Sequence, residues 1–240
     1  NAYLKKSSEV QKRTIPIVKT SLTQISEKSS IKKEIKYKTK QISLRYGLID
    51  MNRIVTGYLK GNYNDSVEKF ETFNGDSIAS WNNFNWNSKH YGASILIPSE
   101  FTTKIKTDGK SPITSDSKIH TITHVLVNAS KILTKSESND IDAYYENGTI
   151  HLFDNTSDGY NGCSKIIYDN FESIMDTCFD LVNECDCPTD EKQKKMVLQG
   201  EEWGGCPKCT FTTNYCQTKN KKLSKKEALD FFSVFKRDEK

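Results

Sequence analysis

Apolar and polar positions change rhythm several times along the chain. Ile35, Tyr37, Ile42, Leu44 and Tyr46 fall in one β-rich run, and Ile54, Val55, Tyr58 and Leu59 in a second. Together they predict an antiparallel hairpin that turns between Gly47 and Asn52. Residues 93–97 predict a strand stopped by Pro98. The rhythm then shifts to three- and four-residue steps: Ile119, Ile122, Leu126, Ala129 and Leu133 predict a helix over 118–133. Asn147-Gly148, between Tyr144-Tyr145 and residues 149–153, is a two-residue hairpin signal. Ile167, Phe171, Ile174, Cys178, Leu181 and Val182 form the buried stripe of a helix predicted over 164–183. Asp158 or Asn161 is placed to cap its start. Ser224 and Glu227 have capping-box spacing ahead of a last helix held down by Leu229, Phe232 and Phe235.

Early strands followed by helix, hairpin, helix and a cysteine-rich segment predict an α+β fold. It consists of an antiparallel sheet with packed helices and a C-terminal four-cysteine knuckle. Residues 1–32 are polar and Lys/Ser-rich and predict a partly extended basic arm. Residues 33–117 form a β-rich part, and 118–240 an α/β part that packs with it as one compact domain.

Composition adds an asymmetry that the net charge of +4 conceals. Residues 1–60 hold 14 Lys/Arg against 4 Asp/Glu, whereas 135–191 hold 2 Lys against a dozen or more carboxylates. A basic block attracts phosphate backbones, and it also serves simply as a solvated surface. No apolar run approaches a transmembrane length, and the N-terminus has no apolar signal segment. Seven cysteines make an odd count. With metal-like spacing and no signal peptide, they predict a reducing, cytoplasmic setting.

The cysteines carry the most specific chemistry. Cys185 and Cys187 form C-x-C, and Cys206 and Cys209 form C-x-x-C within Gly205-Cys206-Pro207-Lys208-Cys209. Two short chelating pairs are what a tetrahedral Zn²⁺ site requires. The rival readings are two disulfides or four free thiols. A redox C-x-x-C fits poorly, because no strand-then-helix pattern positions it. Cys178 falls on an apolar helix face and reads as a core residue.

Other candidates each have a plain alternative. His120 and His124 lie one helical turn apart, but Thr121 stands where a zinc protease needs Glu, which favours a packing role. Asp154, Asn155 and Asp158 end a strand at a glycine-containing loop. They read as turn and cap residues, or as carboxylates of a Mg²⁺-dependent nuclease. Asp108-Gly109-Lys110-Ser111 resembles the tail of a phosphate loop, but Lys104 replaces the first glycine and Pro112 interrupts the helix. With no acidic helicase box either, the chain is not expected to bind or hydrolyse ATP alone. Trp81, Phe84, Trp86 and Tyr91 sit among Asn, Ser and Lys, as base-stacking residues do, and as core aromatics also do. Lys219, Lys221, Lys222, Lys225 and Lys226 form a basic cluster suited to phosphate or to solvent.

Taken in order, several of these pieces resemble a family. His120-Thr121-Ile122-Thr123-His124 comes first, then Leu152-Phe153-Asp154-Asn155, Asp158-Gly159-Tyr160-Asn161-Gly162 and the two cysteine pairs. The order and spacing over 118–211 resemble the cysteine-containing C-terminal domain of superfamily-2 DNA helicases of the mitomycin repair factor A group, which includes phage-defence helicases. Two departures stand out. The glycine loop reads Asn161-Gly162-Cys163 where the family has consecutive glycines, and eighteen residues separate Cys187 from Cys206 instead of a few. A longer loop adds closure entropy only logarithmically.

The resemblance implies a non-catalytic accessory domain of an ATP-dependent DNA helicase. Its zinc would be structural, its partners DNA (including single strands) and the motor domains of the same parent chain, and its pathway DNA repair or phage defence. No membrane is implied. The competing expectations are a protein-interaction module that docks on the motor or a partner, and a metal-dependent nuclease.

Overall fold

The structure is a computed structural model that describes residues 12–23, 30–37, 40–62, 69–72, 85–101, 117–156, 158–187, 206–212 and 223–236. The chain divides into two compact units, Asn1–Thr23 with Met51–Ser88, and Gln24–Asp50 with Lys89–Lys240. In the first unit lie β1 (Lys12–Thr23), the second half of β3 (Lys40–Asn62) and β4 (Lys69–Thr72). There β3 and β4 pair antiparallel from Gly57 opposite Thr72 to Lys60 opposite Lys69.

The second unit is α+β. Its strands run in the order β3, β5 (Asn85–Leu96), β7 (Thr149–Asp154), β6 (Ile141–Glu146). β2 (Ile31–Tyr37) also pairs antiparallel with β3. β7 lies between β5 and β6, antiparallel to both, and from Ile150 to Asp154 it is buried throughout. Because side chains alternate across a strand, Ile150 and Leu152 face the core shared with the helices, and His151 and Phe153 face the other way.

Among the described residues four α-helices pack in this unit: α1 (Ser117–Thr134), α2 (Cys163–Asp169), α3 (Phe171–Asn183) and α4 (Lys225–Val234). α1 packs against α2, α3, α4 and β6. Its Ile119, Ile122, Val125, Leu126 and Ala129 join Phe171, Ile174, Cys178 and Val182 of α3 and Phe231, Phe232 and Phe235 at α4 in one core. Ser224 caps α4, its hydroxyl accepting from the Glu227 N–H, while its own N–H donates to Thr121 on α1. Among the described residues no helix is long and apolar enough to cross a membrane.

Two local expectations need correction. No turn occurs between Gly47 and Asn52, because β3 runs unbroken through them. The hairpin instead pairs Tyr37 with Lys40 and proceeds to Ile31 opposite Tyr46. Glycine and asparagine weaken a strand but do not end it when neighbouring strands satisfy the backbone on both sides. The helix expected over 164–183 is two helices. Asn170 leaves helical geometry (φ −108, ψ 27), and its side-chain amide donates to the Ile166 carbonyl. Asparagine competes in this way for backbone partners and interrupts helices. The Asn147-Gly148 turn is as expected: both residues have positive φ, 49° and 79°, which a two-residue hairpin demands.

His151 gives the second unit a pH dependence. Its Nδ1 lies 2.7 Å from the Ser94 hydroxyl, and burial lowers its pKa to about 4 from an ordinary 6.5. The folded value lies below the unfolded one, so the unfolded chain takes up the proton first as pH falls. The contribution is complete above pH 6.5 and is lost as pH drops towards 4, amounting to at most about 3 kcal/mol. Urea unfolding at pH 7 and pH 4.5 is expected to show a smaller loss of stability in His151→Gln than in the parent.

Candidate metal centre and its supports

α3 delivers the chain to the first cysteine pair. Its last turn closes with the Glu184 N–H donating to the Asp180 carbonyl, and Cys185 and Cys187 follow at once. The second pair is shaped by a tight turn. The Cys206 carbonyl accepts from the N–H groups of Cys209, Thr210 and Phe211, and the Cys206 N–H donates to the Thr210 hydroxyl. The Lys208 N–H points at Cys206 Sγ, 3.4 Å away.

The turn brings all four sulfurs within 4.8 Å of one another. Cys185 and Cys206 sulfurs are 3.6 Å apart, and those of Cys187 and Cys209 are 3.7 Å apart. A disulfide requires about 2.05 Å, so neither pair is bonded. A tetrahedron with metal–sulfur bonds of about 2.3 Å has edges of about 3.8 Å, close to both distances. Burial pushes the Cys187 thiol up to about 11, and it raises Cys209 further still. Neighbouring thiolates add to both shifts. The raised values keep Cys187 and Cys209 as neutral thiols unless a cation binds, whereas hydrogen bonds from the neighbouring cysteines lower Cys185, and the donor set fits a thiophilic ion such as zinc.

Helix α1 holds the second pair from behind. His124 Nδ1–H donates to the Thr210 carbonyl at 3.0 Å. Asn128, one turn along, donates through its amide to the Cys209 carbonyl at 3.0 Å and to the Phe211 carbonyl at 2.8 Å. His120 packs edge-on against His124, with ring centroids 4.3 Å apart. The histidine pair is thus a brace for the cysteine turn. Asn128 was not foreseen from the sequence, although its place one turn after His124 on a polar stripe of α1 was a usable signal. Lys225 donates its ammonium to the Cys185 carbonyl, and Lys208 pairs with Asp186 at 3.2 Å across the two halves. Lys226 is exposed. Lys219, Lys221 and Lys222 lie outside the described residues, as do the Asp108–Ser111 segment, Trp81 and Phe84.

The acidic loop after β7 is built differently. Asp154 is fully buried. Its Oδ2 accepts from the N–H groups of Asn161 and Gly162 at 3.0 and 3.1 Å, and its Oδ1 from Ser164 N–H at 2.7 Å. Neither Asp158 nor Asn161 is the N-cap of α2. That position is Gly162, in left-handed geometry, with Asp154 reaching in from the strand and Asn161 accepting from the Cys163 N–H. Asn155 fastens the loop by donating from its backbone to Asp140 and from its side chain to Asn139. Asp158 points into solvent. Among the described residues the four cysteines are the one group of three or more His, Cys, Asp or Glu side chains close enough to share an ion.

Residues 122–210 match the family model described as the MrfA Zn-binding domain. Over that segment, about a third of its length, the chain is similar to the zinc-binding domain of MrfA-like helicases. The matched segment runs from within α1 to the turn that ends at Thr210, so it encloses His124, Asn128, the buried Asp154 loop and all four cysteines, while His120 lies just before it. A solved structure of the DUF1998 helicase MrfA bound to DNA has a similar fold, with a TM-score of 0.50 and 18% identity over 94% of this chain. This chain spans 26% of that one. Structures of MrfA with DNA and AMPPNP and of MrfA alone give TM-scores of 0.48 and 0.46, each at 15% identity, covering 94% and 90% of this chain and 23% and 24% of theirs. No curated protein matches.

Proposed function

We propose that Cys185, Cys187, Cys206 and Cys209 hold a structural Zn²⁺, and that the chain is a non-catalytic accessory part of an ATP-dependent DNA helicase that assists DNA binding. The carrying observation is the closed sulfur cluster inside the matched zinc-binding segment. Four protein ligands fill a tetrahedral shell, so the ion supplies cross-linking and leaves no position for water or substrate. It ties the end of α3 to the turn braced by α1. The nuclease reading loses its main carboxylate, because both oxygens of Asp154 are engaged by backbone N–H groups. Support for DNA as the partner comes from MrfA, whose fold the chain shares and which has been captured on DNA. A reducing, cytoplasmic setting suits a chain that keeps these thiols unbonded.

The test is a fluorescence titration of the zinc-loaded chain with single- and double-stranded oligonucleotides at several salt concentrations. Salt-sensitive binding at micromolar protein is expected, and its absence for every oligonucleotide would overturn the DNA half. The brace has its own check. Asn128→Ala is expected to weaken zinc about tenfold in chelator competition, as loss of a group that orients a ligand loop does.

Docking on the motor or a partner is the second reading, favoured by one surface feature. Ile132 of α1 is 57% exposed and, with Leu181, lines a groove beside Cys185 rimmed by Asp180, Glu184 and Asp186. Ile132→Glu should leave zinc content and DNA titration unchanged but weaken association with the motor part of the parent chain. Unchanged association would remove this reading.

A further inference from the structure

The loop between Asp154 and α2 is fixed on both sides of a residue that it leaves in solvent. The Gly159 carbonyl accepts from the Tyr91 N–H at 2.8 Å, and Asp154 holds the N–H groups of Asn161 and Gly162. Gly159 itself (φ +71) sits so close to β5 that a Cβ would lie 1.9 Å from the Lys89 carbonyl oxygen. Between these anchors the Tyr160 ring is 54% exposed. A fixed backbone that presents an exposed ring has already lost the entropy that ordering on binding would cost.

Tyr160 does not stand alone. Its ring meets Tyr91 edge-to-face at 5.3 Å, and Tyr91 stacks on Tyr46 at 6.0 Å and 24°. Tyr46 in turn lies against Tyr168 at 5.8 Å. The outer two rings are open, Tyr91 being 39% exposed, while Tyr46 and Tyr168 are buried. Tyr91 shares a face of β5 with Ala93 and Ile95, which the helices cover. The row therefore begins where the helical cover ends. Two ammonium groups lie at its buried end: Lys165 is 5.7 Å from the centroids of both Tyr46 and Tyr168, and Lys33, which also donates to the Tyr168 carbonyl, is 4.4 Å from the Tyr168 centroid. The carboxylate partner of Lys165, Asp169, is itself exposed and exchangeable.

We infer that Tyr160 and Tyr91 form a stacking platform for the bases of single-stranded DNA, with Lys165 and Lys33 placed for its phosphates. Exposed rings at one end of a row whose buried end carries ammonium groups complement a strand whose bases have free π-faces and whose backbone is anionic. A duplex, with its bases stacked internally, offers the platform little. The inference rests on the DNA-binding reading above and locates one contact within it.

The experiment uses the zinc-loaded chain with fluorescein-labelled dT15, an abasic 15-mer of equal charge, rU15 and a 15-base-pair duplex. The parent chain is expected to prefer dT15 to the abasic strand, and Tyr160→Ala to weaken dT15 about fivefold or more while leaving the abasic strand unchanged. Tyr91→Leu is expected to act in the same direction. Lys165→Gln should reduce the salt slope by about 0.7, one single-strand phosphate contact. Tyr160 is exposed, so its variant should keep the parent zinc content and melting temperature. Equal affinity for dT15 and the abasic strand, or no effect of Tyr160→Ala, overturns the platform while DNA binding stands. Failure of every oligonucleotide overturns both. Tighter binding of rU15 than of dT15 overturns DNA as the ligand.

Discussion

Cys209→Ser is expected to strip the zinc and lower the melting temperature by about 10 °C or more. Cys209 is fully buried and contributes one of the four sulfurs within 4.8 Å. Serine offers zinc a far poorer ligand than thiolate, and three sulfurs leave the shell open. Structural zinc sites contribute folding free energy outright, because the unfolded chain has no preformed site. A loss of several kcal/mol in a chain of this size corresponds to a shift of about that extent. Zinc released and counted by a chromogenic chelator should be one equivalent in the parent and near zero in the variant. EDTA should bring the parent melt down to that of the variant. A parent purified without metal, or a variant that keeps a full equivalent, would refute the assignment.

Asp154→Ala is expected to cost about 3–5 kcal/mol in urea unfolding with the zinc content retained. The fully buried side chain satisfies three backbone N–H groups, that of Ser164 buried and those of Asn161 and Gly162 part-buried. Removing it strands all three, and each buried donor left without a partner costs on the order of 1–3 kcal/mol. Asp154→Asn keeps a carbonyl oxygen but turns an NH₂ group towards N–H donors, so it should recover only part of the loss. Exposed Asp158 is the control, since its alanine variant should stay within about 0.5 kcal/mol of the parent. An Asp154→Ala chain as stable as the parent would mean that the carboxylate does not hold the loop.

Much of the second unit was legible where the signal was local. The stripe of Ile119, Ile122, Leu126 and Ala129 marked α1 to within a residue or two, and Asn147-Gly148 marked the β6–β7 hairpin, because helix periodicity and positive φ are properties of neighbouring residues. The misreadings arose where a local preference met a distant partner or a rival bond. Gly47 and Asn52 favour a turn, but they lie in a strand held by its neighbours. The apolar stripe continues from Ile167 to Phe171, yet exposed Asn170 between them leaves helical geometry and splits the helix.

The candidate site divides in the same way. C-x-C and C-P-x-C spacing already names a thiolate ligand set, since each pair can chelate by itself. The spacing does not show that Cys185 meets Cys206 and Cys187 meets Cys209. That depends on α3 ending beside a turn held by His124, a contact across 86 positions in the chain. The role of Asp154 was hidden for a related reason. Its type and place after a strand fit a turn, a cap or a catalytic group equally. Only burial beneath three N–H groups decides among them. From its sequence alone the protein thus determined its helical stripes, the β6–β7 hairpin and the chemistry of its sulfurs, all set within a few residues. Tertiary structure decided which polar groups face one another, because hydrogen bonds and tetrahedral distances depend on positions in space that chain order does not encode.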